Sequence, residues 1–330
     1  MEIAMGLFAW LLGRRERKSQ LRPLAADDEK SGPSTREPEF IDIKARRFLG
    51  QCVKSSNKRF TLAWRDGNGT VVTNGVAKSV GGRYLLLEGD RVLVDGKMVR
   101  PNDGRVANNG VFVLNDWGRS EALSGTFRAF DAQGRTLMKK KFSANLLNNG
   151  VADDGRLAVC QTCNSPSADS AILTVFDLTI GSELARWSPA SGWADYYLFP
   201  DNDVVQLGYR DLGAFSYTLD GQFIDRERWE EAKLAKGDLL LIETILKEIG
   251  GHPEGELLEK LLRATEVALA SPNAHPQSQA LGLKLRGICL EARGAMADAL
   301  DSYDKAIVLN PKVGVKQRAD RLRKSIAKAT

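Results

Sequence analysis

Cys160 and Cys163 stand three apart in RLAVCQTCNS (Arg156–Ser165). That spacing serves zinc knuckles and redox dithiols, so the chemistry around it decides its use. A structural zinc site needs four ligands, mostly Cys and His. The chain has four cysteines, Cys52, Cys160, Cys163 and Cys289, and two histidines, His252 and His275, both far downstream in a helical stretch. Cys52, Cys160 and Cys163 are the one set that could approach a metal, and they fall a ligand short. A reactive dithiol opens a helix, whose N-terminus lowers the thiol pKa; AVCQTCNS runs instead into a Ser/Asn/Pro loop. On a strand, Cys160 shares a face with Ala158, while Cys163 would share one with Leu157 and Val159. The expectation is a buried Cys160 and a Cys163 at the strand end, with no metal and no cofactor.

Other catalytic patterns are missing. No histidine lies near a nucleophile, and neither a phosphate-binding G-x-x-x-x-G-K-[ST] nor a strand-linked G-x-G-x-x-G occurs. The aspartates of PDNDVV (Asp201, Asp203) and the pair Asp153–Asp154 read as turn formers. What recurs is a polar set at strand ends: RPNDG, LNDWG, ANLLNNG, CQTCN and SGWAD. Asn102, Asn115, Asp116, Trp117, Asn145, Gln161, Asn164 and Trp193 would gather on one face if the strands repeat. Amides with tryptophan suit a polar ligand or a peptide.

The elements that must position them follow from period and turns. In 330 residues, 43% hydrophobic and 27% charged, a soluble protein of about two domains is expected. From residue 48 to 225 short apolar runs alternate with Gly/Asn/Asp turns: RFTLAW, RYLLLEG, VFVLND, RLAVCQ, DVVQLGY. RVANNGVFVLNDW and GVADDGRLAVCQT align at Val106 and Val151, 45 residues apart, which puts Cys160 where Asn115 stands. TFRAFDAQGRTLM and LTVFDLTIGSELA follow at nearly the same offset. About four such meanders fit the region. Their turn–strand grammar resembles a WD40-like or quinoprotein-like β-propeller, although the WD and GH signatures are absent.

After residue 225 the spacing turns helical. LKLRGICLEARGAMADALDSYDKAIVLNP (Leu283–Pro311) resembles a tetratricopeptide (TPR) repeat at Gly287, Ala299, Tyr303, Ala306 and Pro311. It departs from the motif at Leu283, Arg286 and Leu290. Gly287 and Ala299 would let two helices approach, Tyr303 and Ala306 would pack toward the next helix, and Pro311 would end the hairpin. An earlier degenerate repeat and a basic capping helix complete this reading.

The fold expected is therefore β then α: a propeller-like antiparallel domain (48–225) followed by TPR-like helical hairpins (226–330). Residues 19–47, rich in Pro, Ser and charge, read as a flexible linker. Before it, Ile3–Leu12 is apolar and too short to span a bilayer, and basic residues follow it. Residues 1–18 could lie on an anionic membrane, with contacts from residues 7–18, and Met5 is an alternative start.

Function then reads as a cytoplasmic, non-catalytic scaffold that binds a protein or peptide, with homo-oligomerisation open to it. One alternative is a small-ligand sensor or enzyme using the Asn/Asp/Trp face. Another is an adaptor tethered peripherally to the membrane. The net charge of +5 sits at the basic ends, and the C-terminal helix lacks interleaved aromatics, so nucleic acid is not the expected partner.

Overall fold

Strands apolar on both faces must be covered on both sides, and this requirement builds the β unit. The computed structural model describes residues 39–67, 69–73, 76–118, 123–272 and 274–329. They divide into two compact units, meeting at Arg226/Glu227. The expected membrane segment and residues 19–38 of the expected linker lie outside the described residues. The linker's end is corrected: β1 (Glu39–Ile43) pairs antiparallel with β2 (Phe48–Lys54).

The first sheet runs β1-β2-β3-β6-β7, with β3 (Phe60–Arg65), β6 (Gly82–Glu88) and β7 (Arg91–Met98); β4 (Gly69–Thr73) and β5 (Val76–Val80) form a separate hairpin. The second sheet is a meander of β8 (Pro101–Val106), β9 (Phe112–Asp116), β10 (Gly125–Phe130) and β11 (Thr136–Phe142). The third repeats it with β12 (Leu146–Val151), β13 (Leu157–Thr162), β14 (Leu173–Asp177) and β15 (Ser182–Trp187). The fourth has three strands, β16 (Tyr196–Leu198), β17 (Val204–Tyr209) and β18 (Gly213–Thr218), with a single Tyr217–Phe223 bridge beside β18. The unit is a propeller-like stack of antiparallel sheets, followed in the chain by helices.

The core forms between successive sheets. Phe112, Leu114 and Phe130 pack on Leu62, Trp64 and Leu86 of the first sheet. Val113, Phe127 and Ala129, on the opposite face of the second sheet, pack on Ala158, Cys160 and Phe176 of the third. Val159, Leu173 and Val175 then meet Val205, Leu207 and Tyr217 of the fourth. Phe127 stacks on Phe176 with ring centroids 4.8 Å apart. Burying each such side chain contributes about 1.5–3 kcal/mol.

This packing corrects the repeat alignment. Equivalent core residues lie 46 apart in the second and third strands of each meander: Phe112 with Ala158, Leu114 with Cys160, Phe130 with Phe176. Asn115 lies opposite Asp103, and Gln161 opposite Asn148. Gln161, not Cys160, therefore stands where Asn115 stands. The cause is one extra residue in a turn. Ala107 N–H donates to Val111, four residues on, whereas Ala152 N–H donates to Leu157, five on.

The turns also tie the sheets together. Asn57 N–H donates to Asn108 Oδ1 at 2.8 Å, and Asn108 N–H to the Asp153 carbonyl at 2.9 Å. Asn109 donates to the Asp154 carbonyl at 2.6 Å and Arg156 to the Asn202 carbonyl at 2.9 Å. Four turns are thus linked in sequence. At the outer hairpins Phe-Asp recurs for its own reason: Asp131 Oδ1 accepts from Gln133 and Arg135 N–H, and Asp177 Oδ1 from Thr179 N–H. Each aspartate thereby fixes a turn that ends in a glycine at positive φ, Gly134 at 79° and Gly181 at 63°.

The second unit comprises α1 (Arg226–Ala235), α2 (Leu239–Glu248), α3 (Gly255–Leu269), α4 (Pro276–Ala292), α5 (Met296–Leu309) and α6 (Lys316–Ala329). Asp238 caps α2 by accepting from Leu241 N–H, and His275 caps α4 ahead of Pro276. Ile242, Leu261, Leu285, Cys289, Tyr303, Ala306 and Leu322 share one core. Burial pushes the Cys289 thiol up to about 12.

A Cβ added at Gly287 would lie 2.4 Å from the Tyr303 ring. Tyr303 thus packs on α4 and shares its core with Ala319 and Leu322 of α6. Its hydroxyl donates to Glu291 at 2.8 Å, and Arg318 of α6 reaches the same carboxylate at 2.6 Å. Ala299 and Ala306 are fully buried, and Asn310 leaves α5 in extended conformation before Pro311. Replacing Gly287 with Val is expected to destabilise the helices by about 1–3 kcal/mol through overpacking, read from the far-ultraviolet melt.

Lys284 of α4 donates to Glu243 of α2 at 2.9 Å, and this bond, with Lys247 nearby, holds the Glu243 carboxyl below its ordinary value. Unfolding then releases a carboxylate that binds protons more readily, so the contribution is present above about pH 4 and lost as pH falls through the folded value. Glu243→Gln should flatten the acid limb of the stability profile.

Candidate functional site

The inner strands β2, β8, β12 and β16 each have two ends, and the strand-end residues singled out in the sequence sit at one of them. Three of their side chains, those of Asn115, Trp117 and Gln161, are spent on the next sheet or the loop that leads into it. Asn115 is fully buried, and its Oδ1 accepts weakly from the Cys160 thiol at 3.7 Å. Asp116 Oδ1 accepts from the N–H of Arg100 and of Gly118. Trp117 donates its indole N–H to the Leu146 carbonyl at 3.0 Å. Asn102 enters through its carbonyl, which accepts from Trp64 at 2.7 Å, and Asn145 through its carbonyl, which accepts from Cys163 N–H. The side chains of Asn145 and Asn164 are exposed.

The cysteines do not assemble a site. Cys52 sits among Phe48, Ala63, Leu85 and Leu87 in the first sheet, while Cys160 lies between the second and third. Cys163 falls just past the end of β13. Burial, with the carboxylate of Asp103 nearby, pushes the Cys160 thiol well above its ordinary value. Among the described residues no three His, Cys, Asp or Glu side chains are grouped to hold a metal ion.

Trp193 is different. Its side chain is 46% exposed, yet the loop that carries it is tied on both sides. Gln161 is fully buried and grips the backbone around it, donating to the Gly192 carbonyl at 3.2 Å and accepting from Ala194 N–H at 3.1 Å. Asn148 donates to the Ala194 carbonyl at 2.6 Å. Ser191 N–H donates to the Tyr217 hydroxyl at 3.1 Å, and Tyr209 donates to the Ser191 hydroxyl at 2.5 Å. Asp195 N–H donates to the Gly208 carbonyl at 2.8 Å. Beneath the loop the Tyr197 hydroxyl lies 2.7 Å from Asn148 Oδ1 and 2.9 Å from Gln161 Oε1. Burial raises the pKa of Tyr197, Tyr209 and Tyr217, so these hydroxyls stay protonated donors at neutral pH.

The other ends of the inner strands line an open cleft of about 290 Å³. Lys54 of β2, Arg105 of β8, Asn149 of β12 and Tyr196 of β16 line it, with Ser56 and Asp153 from the turns. Sequence reading missed this end. The available signal was polarity: PNDGRV and LLNNGV carry polar residues where the neighbouring strands are apolar.

No family profile and no curated protein matches the chain. Among solved structures, it is similar to the C-terminal WD40 domain of Sif2, with TM-score 0.33, 10% identity, 49% of this chain and 42% of that chain covered. It is also similar to a chain of the mitotic checkpoint complex, with TM-score 0.33, 8% identity, and 51% and 50% covered. A third is BamB from Moraxella catarrhalis, with TM-score 0.31, 12% identity, and 56% and 46% covered. The chain thus spans half or less of each of these proteins. No helix among the described residues is long and apolar enough to cross a membrane.

Proposed function

We propose that this protein is a non-catalytic interaction scaffold. The strand-end face around Trp193 docks a protein or peptide, and the TPR-like helical hairpins supply a second docking surface. The observation that carries this reading is a large aromatic side chain left half exposed on a loop whose backbone is fixed. Tryptophan anchors dominate many protein interfaces, and a rigid anchor has little ordering entropy left to lose on binding. The strand-end amides support it in a different way from that expected: Gln161 and Asn148 build the platform rather than touch the partner. On the helices, Val308 (81% exposed) and Leu240 are apolar side chains left on the surface.

The test uses the full chain as bait and compares wild type with Trp193→Ala and Val308→Asp. A partner retained by wild type and lost by one of the variants supports the reading and says which surface binds it. Identical retention by all three overturns it.

A further inference from the structure

The last helix, α6, carries more charge than its packing uses. We propose that its outward face docks on an anionic lipid surface.

Charge comes first. Lys316–Ala329 holds six cations and one acid, Asp320, a net of +5 that equals the net charge of all 330 residues. Two of the cations are spent within the unit. Arg318 pairs with Glu291 at 2.6 Å, and Arg323 pairs with Asp304 and with Asp320 at 2.8 Å each. Arg321, Lys324 and Lys328 are exposed, and among the described residues no carboxylate pairs with them. They stand at i, i+3 and i+7, so at 3.6 residues per turn they form one stripe about 10 Å long. Ala319 and Leu322, on the opposite side of the helix, are buried in its core. The apolar side thus holds α6 in place and turns the stripe to solvent. Like charges at these spacings destabilise a helix, so the row is a cost to the fold that an anionic partner removes.

What the stripe lacks selects among anions. Gln317 is the other residue in line with it, and no apolar or aromatic side chain stands there. A protein partner draws most of its affinity from buried aromatic or apolar anchors, and a single-stranded nucleic acid from aromatic stacking. The face of α6 offers neither. A lipid surface needs neither, because a plane of anionic headgroups attracts each nearby Lys or Arg in its own right. The sequence adds an independent reason. At the chain's other end the apolar run Ile3–Leu12 is followed by Arg14, Arg15, Arg17 and Lys18. Apolar residues beside a basic run have a use at a lipid interface and none on a phosphate backbone, and stable anchoring takes two signals. The α6 stripe is the second of them.

The test is co-sedimentation of the full chain with vesicles of phosphatidylglycerol and phosphatidylcholine, against vesicles of phosphatidylcholine alone and against a DNA duplex. Expected is binding to the anionic vesicles and none to phosphatidylcholine alone, with release as salt rises from about 0.05 to about 0.5 M. The double variant Arg321→Gln, Lys324→Gln should bind the anionic vesicles about thirtyfold more weakly, and the triple variant with Lys328→Gln about a hundredfold. All three side chains are exposed and unpaired among the described residues, so the far-ultraviolet melt of these variants should match wild type. The proposal is overturned if wild type does not bind the anionic vesicles, if the triple variant binds them like wild type, or if the duplex is bound more tightly than the vesicles.

Discussion

Trp193→Ala should weaken partner binding by about 2–4 kcal/mol, a loss of roughly thirty- to a thousandfold, while leaving the stability of the β unit almost untouched. The two halves of this result have separate causes. The indole is 46% exposed and no hydrogen bond of its own holds the loop among the described residues, so its removal breaks none of the bonds that fix the backbone. The backbone stays pinned by Gln161, Asn148 and Tyr217 whether or not the ring is present. Surface substitutions away from such features stay within about 0.5 kcal/mol of wild type. Comparing Tm with the dissociation constant of the retained partner separates the effects. A variant that loses Tm and affinity together would place Trp193 among the stabilising residues instead.

Gln161→Leu should do both. Leucine fills a similar volume but leaves the Gly192 carbonyl and Ala194 N–H without their side-chain partners, and the Tyr197 hydroxyl with Asn148 alone. Ala194 is buried and its N–H left unpaired costs about 1–3 kcal/mol, so a loss of about that size is expected from the denaturant midpoint. The distinguishing readout is amide exchange at Ala194. Its N–H is protected by Gln161 Oε1 and should exchange faster in the variant than the neighbouring Asp195 N–H, which keeps the Gly208 carbonyl. Binding should fall as well, since the indole then sits on a moving loop and must be ordered again on contact.

Where a residue's role is steric and local, it was readable from type and spacing. Gly287 and Tyr303 sit a helical hairpin apart, and only a glycine leaves room for the ring. The Phe-Asp pairs at Asp131 and Asp177 are likewise local, because each aspartate caps its own turn. The alternation of apolar strands announced sheets, and the repeat announced meanders. The register did not come through. Both turns read Val-Ala, two Asn or Asp, then Gly, and the extra residue at Arg156 changes no motif. Only strand pairing reveals that Cys160 answers to Leu114. The strand Glu39–Ile43 was hidden for another reason: it follows a Pro-rich stretch and gains its structure by pairing with Phe48–Cys52. The cleft was hidden most completely. Lys54, Arg105, Asn149 and Tyr196 come from four segments with about fifty residues between each, and nothing local marks them as neighbours.

The linked turns have a bearing on how the β unit comes apart. Stacked sheets that touch only their neighbours can in principle melt one by one, from an end inward. Here Asn57 holds Asn108, Asn108 holds Asp153, and Arg156 holds Asn202, so freeing one sheet strips acceptors or donors from the next. Partial opening then carries the cost of broken bonds on a sheet that has not itself moved. Losing the last sheet would also leave Asn148 and Gln161 unpartnered. The expected result is a single unfolding transition for the four sheets, and a proteolytic nick in any of these four turns should loosen sheets on both sides of the cut.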